Sequence, residues 1–224
     1  MKLEDACKKI NKIANIQFKN LFSPDVLDNI ILNKGKSGQL LETSLGMPLS
    51  NTTLDFEDGE LKTNKCDACG KPKETIFITQ ISSIIDELIT RKQFEQTHLY
   101  EKISNILYVP VCKEGSPGNW MFLPSIHVDL TQPLFSTLRD NLRHDYYSIC
   151  DQLKNHIENS PDGFIHTSNG SYIQVRSKDA KDKNGNYHPI YSKNYARNVS
   201  NKNHAFYFKK QFVEDIRLLT NNSN

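Results

Sequence analysis

Apolar residues in this sequence recur with two periods, and the period sorts the chain into helices and strands. Leu3 to Gln17 carries Ala6, Ile10, Ile13 and Ala14 on one side of a helix. Ser23-Pro24-Asp25 is a helix-start signal, and Val26, Leu27, Ile30 and Ile31 follow at helical spacing. Gly35 to Gly46 reads as a third helix, holding Leu40, Leu41 and Leu45. Thr53 to Phe56, Glu60 to Thr63 and Glu74 to Ile81 read as strands, the first two meeting at the turn pair Asp58-Gly59. Ser82 to Arg91 is helical. Ser104 to Cys112 and Asn119 to Leu123 form a strand pair turning at Ser116-Pro117-Gly118. Pro133 to Asn159 is the longest helix, with Leu134, Leu138, Leu142, Tyr146, Ile149, Leu153 and Ile157 as one buried stripe. Ser171 to Arg176 and Phe206 to Phe208 are strands, Asn184-Gly185 is a loop tip, and Lys210 to Leu219 is a closing helix. Lys181 to Lys202, rich in Asn, Lys and Tyr, is the stretch least expected to order without a ligand.

Composition adds limits. The 224 residues are 37% hydrophobic and 24% charged, ordinary for a globular chain large enough to bury a sizeable core. The net charge of +2 does not announce nucleic acid, but its distribution does. From Ser171 to Gln211 nine basic residues face two acidic ones, a local +7 that leaves the remainder net acidic. Tyr172, Tyr187, Tyr191, Tyr195 and Tyr207 are interleaved with these bases. Lysine and arginine meet phosphates, while tyrosine and asparagine reach sugars or base edges. The five cysteines, Cys7, Cys66, Cys69, Cys112 and Cys150, form no spaced framework, which reads as reduced thiols in a cytoplasmic protein. No apolar run is long enough to span a bilayer, and the charged Met1-Lys2-Leu3-Glu4-Asp5 start is unlike an export signal, so no membrane is expected.

The most specific chemistry lies in Asp55-Phe56-Glu57-Asp58-Gly59-Glu60-Leu61-Lys62. Residues two apart on a strand share a face, so Glu60 and Lys62 point the same way. Asp55 and Glu60 can share a divalent metal, and Lys62 can steady an attacking water or a developing oxyanion. This is the arrangement of metal-dependent nucleases of the PD-(D/E)xK type. A charged, solvated hairpin would give the same short pattern.

Ordered blocks around it carry more weight. Lys34-Gly35-Lys36-Ser37-Gly38-Gln39-Leu40-Leu41-Glu42 precedes Asp55-Phe56 and Glu60-Leu61-Lys62. Gly70 to Phe77, Glu95-Gln96-Thr97-His98 with Lys102, Ile106 to Val111, Tyr172 to Lys178 and Phe206 to Phe212 follow in order. Together they resemble the MutH-like endonuclease family, which contains mismatch-repair nickases and restriction enzymes that cut GATC. The resemblance implies a single domain over residues 1–224 with an α/β PD-(D/E)xK restriction-endonuclease-like fold: a mixed central sheet flanked by helices, in two lobes around a DNA cleft. Residues 1–130 would be mainly catalytic and 131–224 mainly DNA-recognising. It implies Mg²⁺ held by Asp55, Glu60 and the Leu61 carbonyl, with Lys62 catalytic and Glu42 and Lys102 as further catalytic-site residues. Lys34, Arg176, Lys178, Tyr207 and Lys209 would bind double-stranded DNA.

Two departures leave alternatives open. Only four residues separate Asp55 from Glu60, a shorter spacing than the mismatch-repair enzyme has, so Asp58 is a rival ligand. Cys66-Asp67-Ala68-Cys69 is inserted after the active-site strand and is either half of a zinc site or a loop with two free thiols. The histidines show no metal-ligand spacing, and His98 reads as structural. Three functions fit: a type II restriction endonuclease, with a cognate DNA methyltransferase as system partner; a nickase for the unmethylated strand of hemimethylated GATC; or a non-catalytic DNA-binding effector domain. The Lys181–His188 stretch favours restriction, because the restriction relatives carry a similar Asn-, Tyr- and Lys-rich segment there. Monomer and homodimer are both compatible with the sequence.

Overall fold

A computed structural model describes residues 1–32, 36–47 and 54–221. In chain order the helices and strands are α1 (Leu3–Ile13), α2 (Pro24–Leu32), α3 (Lys36–Ser44), β1 (Glu60–Cys66), β2 (Ile76–Gln80), α4 (Ile85–Ile89) and α5 (His98–Ile103). Then come β3 (Asn105–Cys112), β4 (Met121–Phe122), β5 (Ile126–Asp129), α6 (Ser136–Asn159), β6 (Ser168–Asn169) and β7 (Ile173–Ser177). The chain closes with β8 (Ile190–Ser192), β9 (Arg197–Ser200), β10 (His204–Phe208) and α7 (Lys210–Asn221). The protein is thus mixed α/β. No described helix is long and apolar enough to cross a membrane.

The chain forms two compact units. One comprises Met1–Ile76, Ser104–Asp129 and Val213–Asn224; the other comprises Phe77–Ile103 and Leu130–Phe212. Neither is a single run of sequence.

In the first unit β1 pairs in parallel with β3, and β3 pairs antiparallel with both β4 and β5. β3 is buried at every position from Ile106 to Cys112, as a strand covered on both faces must be. Leu3, Ala6 and Ile10 of α1, Leu41 of α3 and Leu45 just after it pack with Phe18, Phe56, Leu61, Leu107, Val109, Val111 and Phe122 into one core. α1 has no side-chain cap of its own. Asp58 supplies one from a distance, its Oδ1 accepting the Leu3 amide at 2.8 Å, and Glu57 Oε1 binds the Met1 ammonium at 2.8 Å.

Those caps explain a correction. A Thr53–Phe56 strand paired with Glu60–Thr63 was expected, but residues 54–58 are bent and β1 takes β3 as its neighbour. Thr53 itself lies outside the described residues. The Phe56 amide bonds the Gly59 carbonyl at 2.9 Å, closing a turn rather than opening a hairpin. Gly59 is pressed against the start of β3, where a Cβ would stand 2.6 Å from the Asn105 carbonyl oxygen and 2.8 Å from the Leu3 side chain. Only glycine fits there.

In the second unit the sheet order is β2-β10-β7-β6, with β7 antiparallel to both β10 and β6. The long α6 buries Leu138, Leu142, Tyr146, Ile149, Leu153 and Ile157 as expected. Leu134 departs from the stripe and is 44% exposed, because Pro133–Phe135 is a 3₁₀ turn that breaks the helical period and buries Phe135 instead. Asp145 of α6 is also buried and accepts the amides of Ser171, Tyr172 and Ile173 at 2.7, 2.6 and 3.2 Å. Gly170 lets the chain approach that carboxylate, since a Cβ there would sit 2.2 Å from Asp145 Cγ.

The Lys181–Lys202 stretch also differs from expectation, because it is folded. β8 and β9 form a two-stranded sheet within it. Asp86 of α4 holds this sheet, accepting the Ser192 hydroxyl at 2.6 Å and the Lys193 amide at 3.1 Å. The Arg197 guanidinium donates to the carbonyls of Gly163 and Ile157 at 2.9 and 3.1 Å. Polar anchors add to the few apolar residues of the stretch that are buried, Ile190 and Val199.

Candidate functional site

β1 starts at Glu60, and its alternation places Glu60, Lys62 and Asn64 on one face, as the sequence implied. These side chains are buried rather than solvated. Glu60 is 2% and Lys62 10% exposed, and Lys62 Nζ donates to Glu60 Oε2 at 2.9 Å. The stripe continues into the interior. Asn64 accepts the Tyr108 hydroxyl at 2.6 Å and donates to the Glu74 carbonyl at 3.1 Å. Burial pushes the Tyr108 phenol well above its ordinary range.

Asp55 sits in the bend before β1, exposed, with Oδ2 accepting the Leu61 amide at 2.9 Å. That bond ties the Asp55 carboxylate to the residue between Glu60 and Lys62. Glu42 approaches from α3, half-buried; burial first, and then the Asp55 charge, raise its carboxyl above the ordinary value. α3 lies close to β1, since a Cβ on Gly38 would meet Thr63 Oγ1 at 3.7 Å. The structure therefore brings Glu42, Asp55, Glu60 and Lys62 to one end of β1. Asp58, the rival, has its carboxylate on the α1 amide and its carbonyl on Asn105 Nδ2 at 2.6 Å.

The donor chemistry of this end suits a hard divalent cation: carboxylate oxygens beside a Glu42 carboxyl raised by burial and then by the Asp55 charge. Among the described residues no three His, Cys, Asp or Glu side chains are gathered into a ready metal cage. Two carboxylates and a carbonyl fall below that count, and water would complete the shell.

Lys102 lies half-buried on α5 in the second unit, near His98, whose Nδ1 pairs with Glu101 at 3.0 Å. Lys34 lies outside the described residues. The remaining basic candidates sit on the sheet of the second unit. The Arg176 guanidinium lies 4.0 Å from the Tyr207 ring centroid, and Tyr207 meets Phe77 edge-on at 5.8 Å. Lys178 Nζ stands 4.9 Å from the Phe77 ring. Arg176 and Lys178 are exposed, so this is a row of cations laid over aromatic faces. It lines an open recess of about 340 Å³ together with Ser177, Asp179, Tyr187 and Lys202. Lys209 is differently employed: its Nζ donates to the Gly170 carbonyl at 2.9 Å, bracing the turn that Asp145 holds.

The residues of β1 and β3 fall inside the region that matches a family model. Residues 47–117 match the model described as DNA mismatch repair enzyme MutH. Over 164 residues, 70% of this chain, the sequence is 29% identical to the DNA mismatch repair protein MutH of Shigella boydii serotype 18, covering 66% of that protein. Over 159 residues, 67% of this chain, it is 30% identical to the protein of the same name from Serratia proteamaculans, covering 64% of it. Over these stretches the chain is similar to the MutH mismatch-repair proteins. The matched region falls just short of two thirds of each of these relatives.

Two further family-region features now have a structure. Cys66 is buried at the end of β1, in register with Cys112 of β3, whereas Cys69 is exposed. Burial, then the neighbouring Cys112, push the Cys66 thiol up to about 12. Asp67 organises the loop, accepting the Cys69 and Lys71 amides at 3.1 and 2.8 Å and pairing with Lys73. The Arg217 guanidinium donates to the Cys69 carbonyl. The insertion is thus braced by hydrogen bonds and an ion pair.

Four contributors escaped sequence reasoning. Asn64 and Tyr108 look like ordinary strand residues until the pairing of β1 with β3 brings them within hydrogen-bond reach. Asp145 carried a faint signal, a lone acid beside Tyr146 on a helix otherwise apolar at that face. Asp179 carried no signal beyond its charge, and it closes a loop.

Proposed function

We propose that this protein is a divalent-metal-dependent endonuclease that hydrolyses a phosphodiester of double-stranded DNA at GATC, nicking the unmethylated strand in the manner of mismatch repair. The observation that carries the reading is the buried Glu60–Lys62 pair, with Asp55 pinned to the Leu61 amide between them. Burying such a pair costs several kcal/mol of desolvation per ion and is a poor source of stability. Charge kept there at that cost suits a site where charge develops during a reaction.

Asp55, Glu60 and the Leu61 carbonyl would hold Mg²⁺, which when bound readies a water and offsets phosphate charge. Lys62 presents a fixed ammonium beside the same carboxylate, where it stabilises an oxyanion or orients the attacking water. Glu42, its carboxyl raised by burial and by Asp55, is suited to keep or pass a proton near the ligands. The commitment of Asp58 to α1 supports Asp55 as the ligand. Arg176, Lys178 and Tyr207 would hold the duplex, the cations on phosphates and the tyrosine on a sugar or base edge. Lys102 and Lys34 enter by family resemblance.

The mismatch-repair names of the curated relatives favour nicking over restriction. The folded, lysine-bearing Lys181–Lys202 segment favours the second reading, a type II restriction enzyme with a partner methyltransferase. One experiment tests both. The protein is incubated with Mg²⁺ and unmethylated, hemimethylated or fully methylated plasmid, and the ends are sequenced. Nicks confined to unmethylated strands at GATC support repair. Double-strand breaks at one short site support restriction. Binding without any cleavage would overturn the enzyme reading and leave a DNA-binding effector domain.

A further inference from the structure

The loop between β7 and β8 is built around two aspartates. Asp179 Oδ2 accepts the amides of His188 and Asn203, each at 2.8 Å. Its Oδ1 accepts the Ala180 amide at 2.9 Å and pairs with His188 Nδ1 at 2.8 Å. One carboxylate therefore closes both ends of the loop and ties it to the approach of β10. A second turn is nested inside. Asp182 Oδ1 accepts the Asn184 and Asn186 amides at 2.8 and 2.9 Å, and its own amide reaches the Asn186 carbonyl at 2.8 Å. Gly185 takes the tip at φ +84°, a conformation that glycine adopts without strain.

The consequence is a separation of charge. Both acidic side chains are spent on amides of the loop and its neighbours. Lys181 and Lys183 are exposed, and neither is in an ion pair among the described residues. Lys181 Nζ lies 5.5 Å from the ring of Tyr187, and Tyr187 lines the recess shared with Arg176, Lys178 and Tyr207. A loop already folded loses little entropy on binding. Lysine is a hydrated point charge suited to phosphate rather than to bidentate reading of a base.

We propose that the Asp179–His188 loop is a preformed phosphate grip, with Lys181 and Lys183 each contacting a backbone phosphate beyond the contacts of Arg176 and Lys178. This rests on the duplex-binding reading above and deepens it: the loop supplies affinity and footprint, not choice of bases. Asp179 is the positioning residue of the grip.

The test is equilibrium binding of the full chain to a short GATC duplex and to a scrambled duplex, without Mg²⁺, across about 50 to 200 mM salt. Each phosphate contact contributes about 0.9 to the slope of log affinity against log salt. Lys181→Ala/Lys183→Ala, two exposed substitutions, is expected to lower the slope by about 1.8 while the preference for GATC over scrambled DNA is retained. Asp179→Asn is expected to weaken binding to both duplexes alike, through a loosened loop. An unchanged slope in the double variant, with the wild type binding normally, overturns the grip and leaves the endonuclease reading standing. Loss of GATC preference with an unchanged slope also overturns it, assigning the loop to base readout. A wild type that binds neither duplex removes both proposals.

Discussion

The two charged regions of this protein are built on opposite principles. At the end of β1, Glu60 and Lys62 are almost fully buried and paired with each other. On the β7–β10 face, Arg176 and Lys178 are exposed and rest on Tyr207 and Phe77. A charge that must act on a reacting group gains from a low-dielectric setting that water does not screen. A charge that must catch a phosphate on a large, hydrated polymer gains from being outside, steadied by an aromatic face. Under the proposed function the two regions would fail differently: the first by losing chemistry and stability together, the second by losing affinity alone.

The sharpest way to break this comparison is at β1. Glu60→Gln and Lys62→Met keep shape while removing charge, and each is expected to lower cleavage on the order of a hundred- to a thousandfold in a plasmid-nicking assay. Duplex binding should persist. Each variant still removes one partner of a buried pair, at about 3 kcal/mol or more, so the urea midpoint is measured alongside cleavage; alanine would add a cavity to that cost. Near-normal cleavage by both shape-keeping variants would reduce the buried pair to a structural feature.

Next in size is the support under the β7–β10 face. Asp145→Ala strands three amides at the β6–β7 turn and is expected to cost about 3 kcal/mol, read as a lower urea midpoint. If Asp145→Ala unfolds at the wild-type midpoint, the turn does not depend on that carboxylate.

Arg176→Ala should be milder. Loss of one stacked cation is expected to weaken duplex binding by about 1 kcal/mol and to reduce the salt slope by about one contact. A slope that does not move would mean that Arg176 meets no phosphate.

The smallest effect sharpens the loop. Asp179 raises the His188 imidazole above its ordinary value through a hydrogen bond and then its charge. Burial raises the Asp179 carboxyl, but the amides of Asn203, His188 and Ala180 and the His188 ring outweigh it and hold the group at about 2. The charged pair is therefore complete where Asp179 is ionised and His188 protonated. Its contribution is full below the ordinary imidazole value, fades as pH rises through the raised one, and is lost on the acid side as pH falls toward 2. An NMR titration should find His188 above 6.5 and return it to the ordinary range in Asp179→Asn.

Periodicity alone located α1, α6, β3, β7, β10 and α7 to within a few residues, because each has a face that must be buried. It also placed Glu60 and Lys62 on one side of a strand, since that needs nothing beyond alternation. Ordered motifs indicated the family before any coordinate did. What periodicity could not supply was partners. It paired β1 with a preceding strand, whereas the fold pairs it with β3, more than forty residues on. Local turn chemistry at Asp58-Gly59 looked like a hairpin, and only packing against Leu3 and Asn105 shows why it is not. The Lys181–Lys202 stretch reads as the part least expected to order without a ligand because it is rich in Asn, Lys and Tyr, yet Asp86, far away in sequence, holds it. Spacing along the chain thus determined which faces are apolar and which residue types sit together locally. Which carboxylate caps a helix, which approaches Leu61, and which closes a loop was decided by tertiary contacts, because a hydrogen bond depends on distance in space and carries no period in sequence.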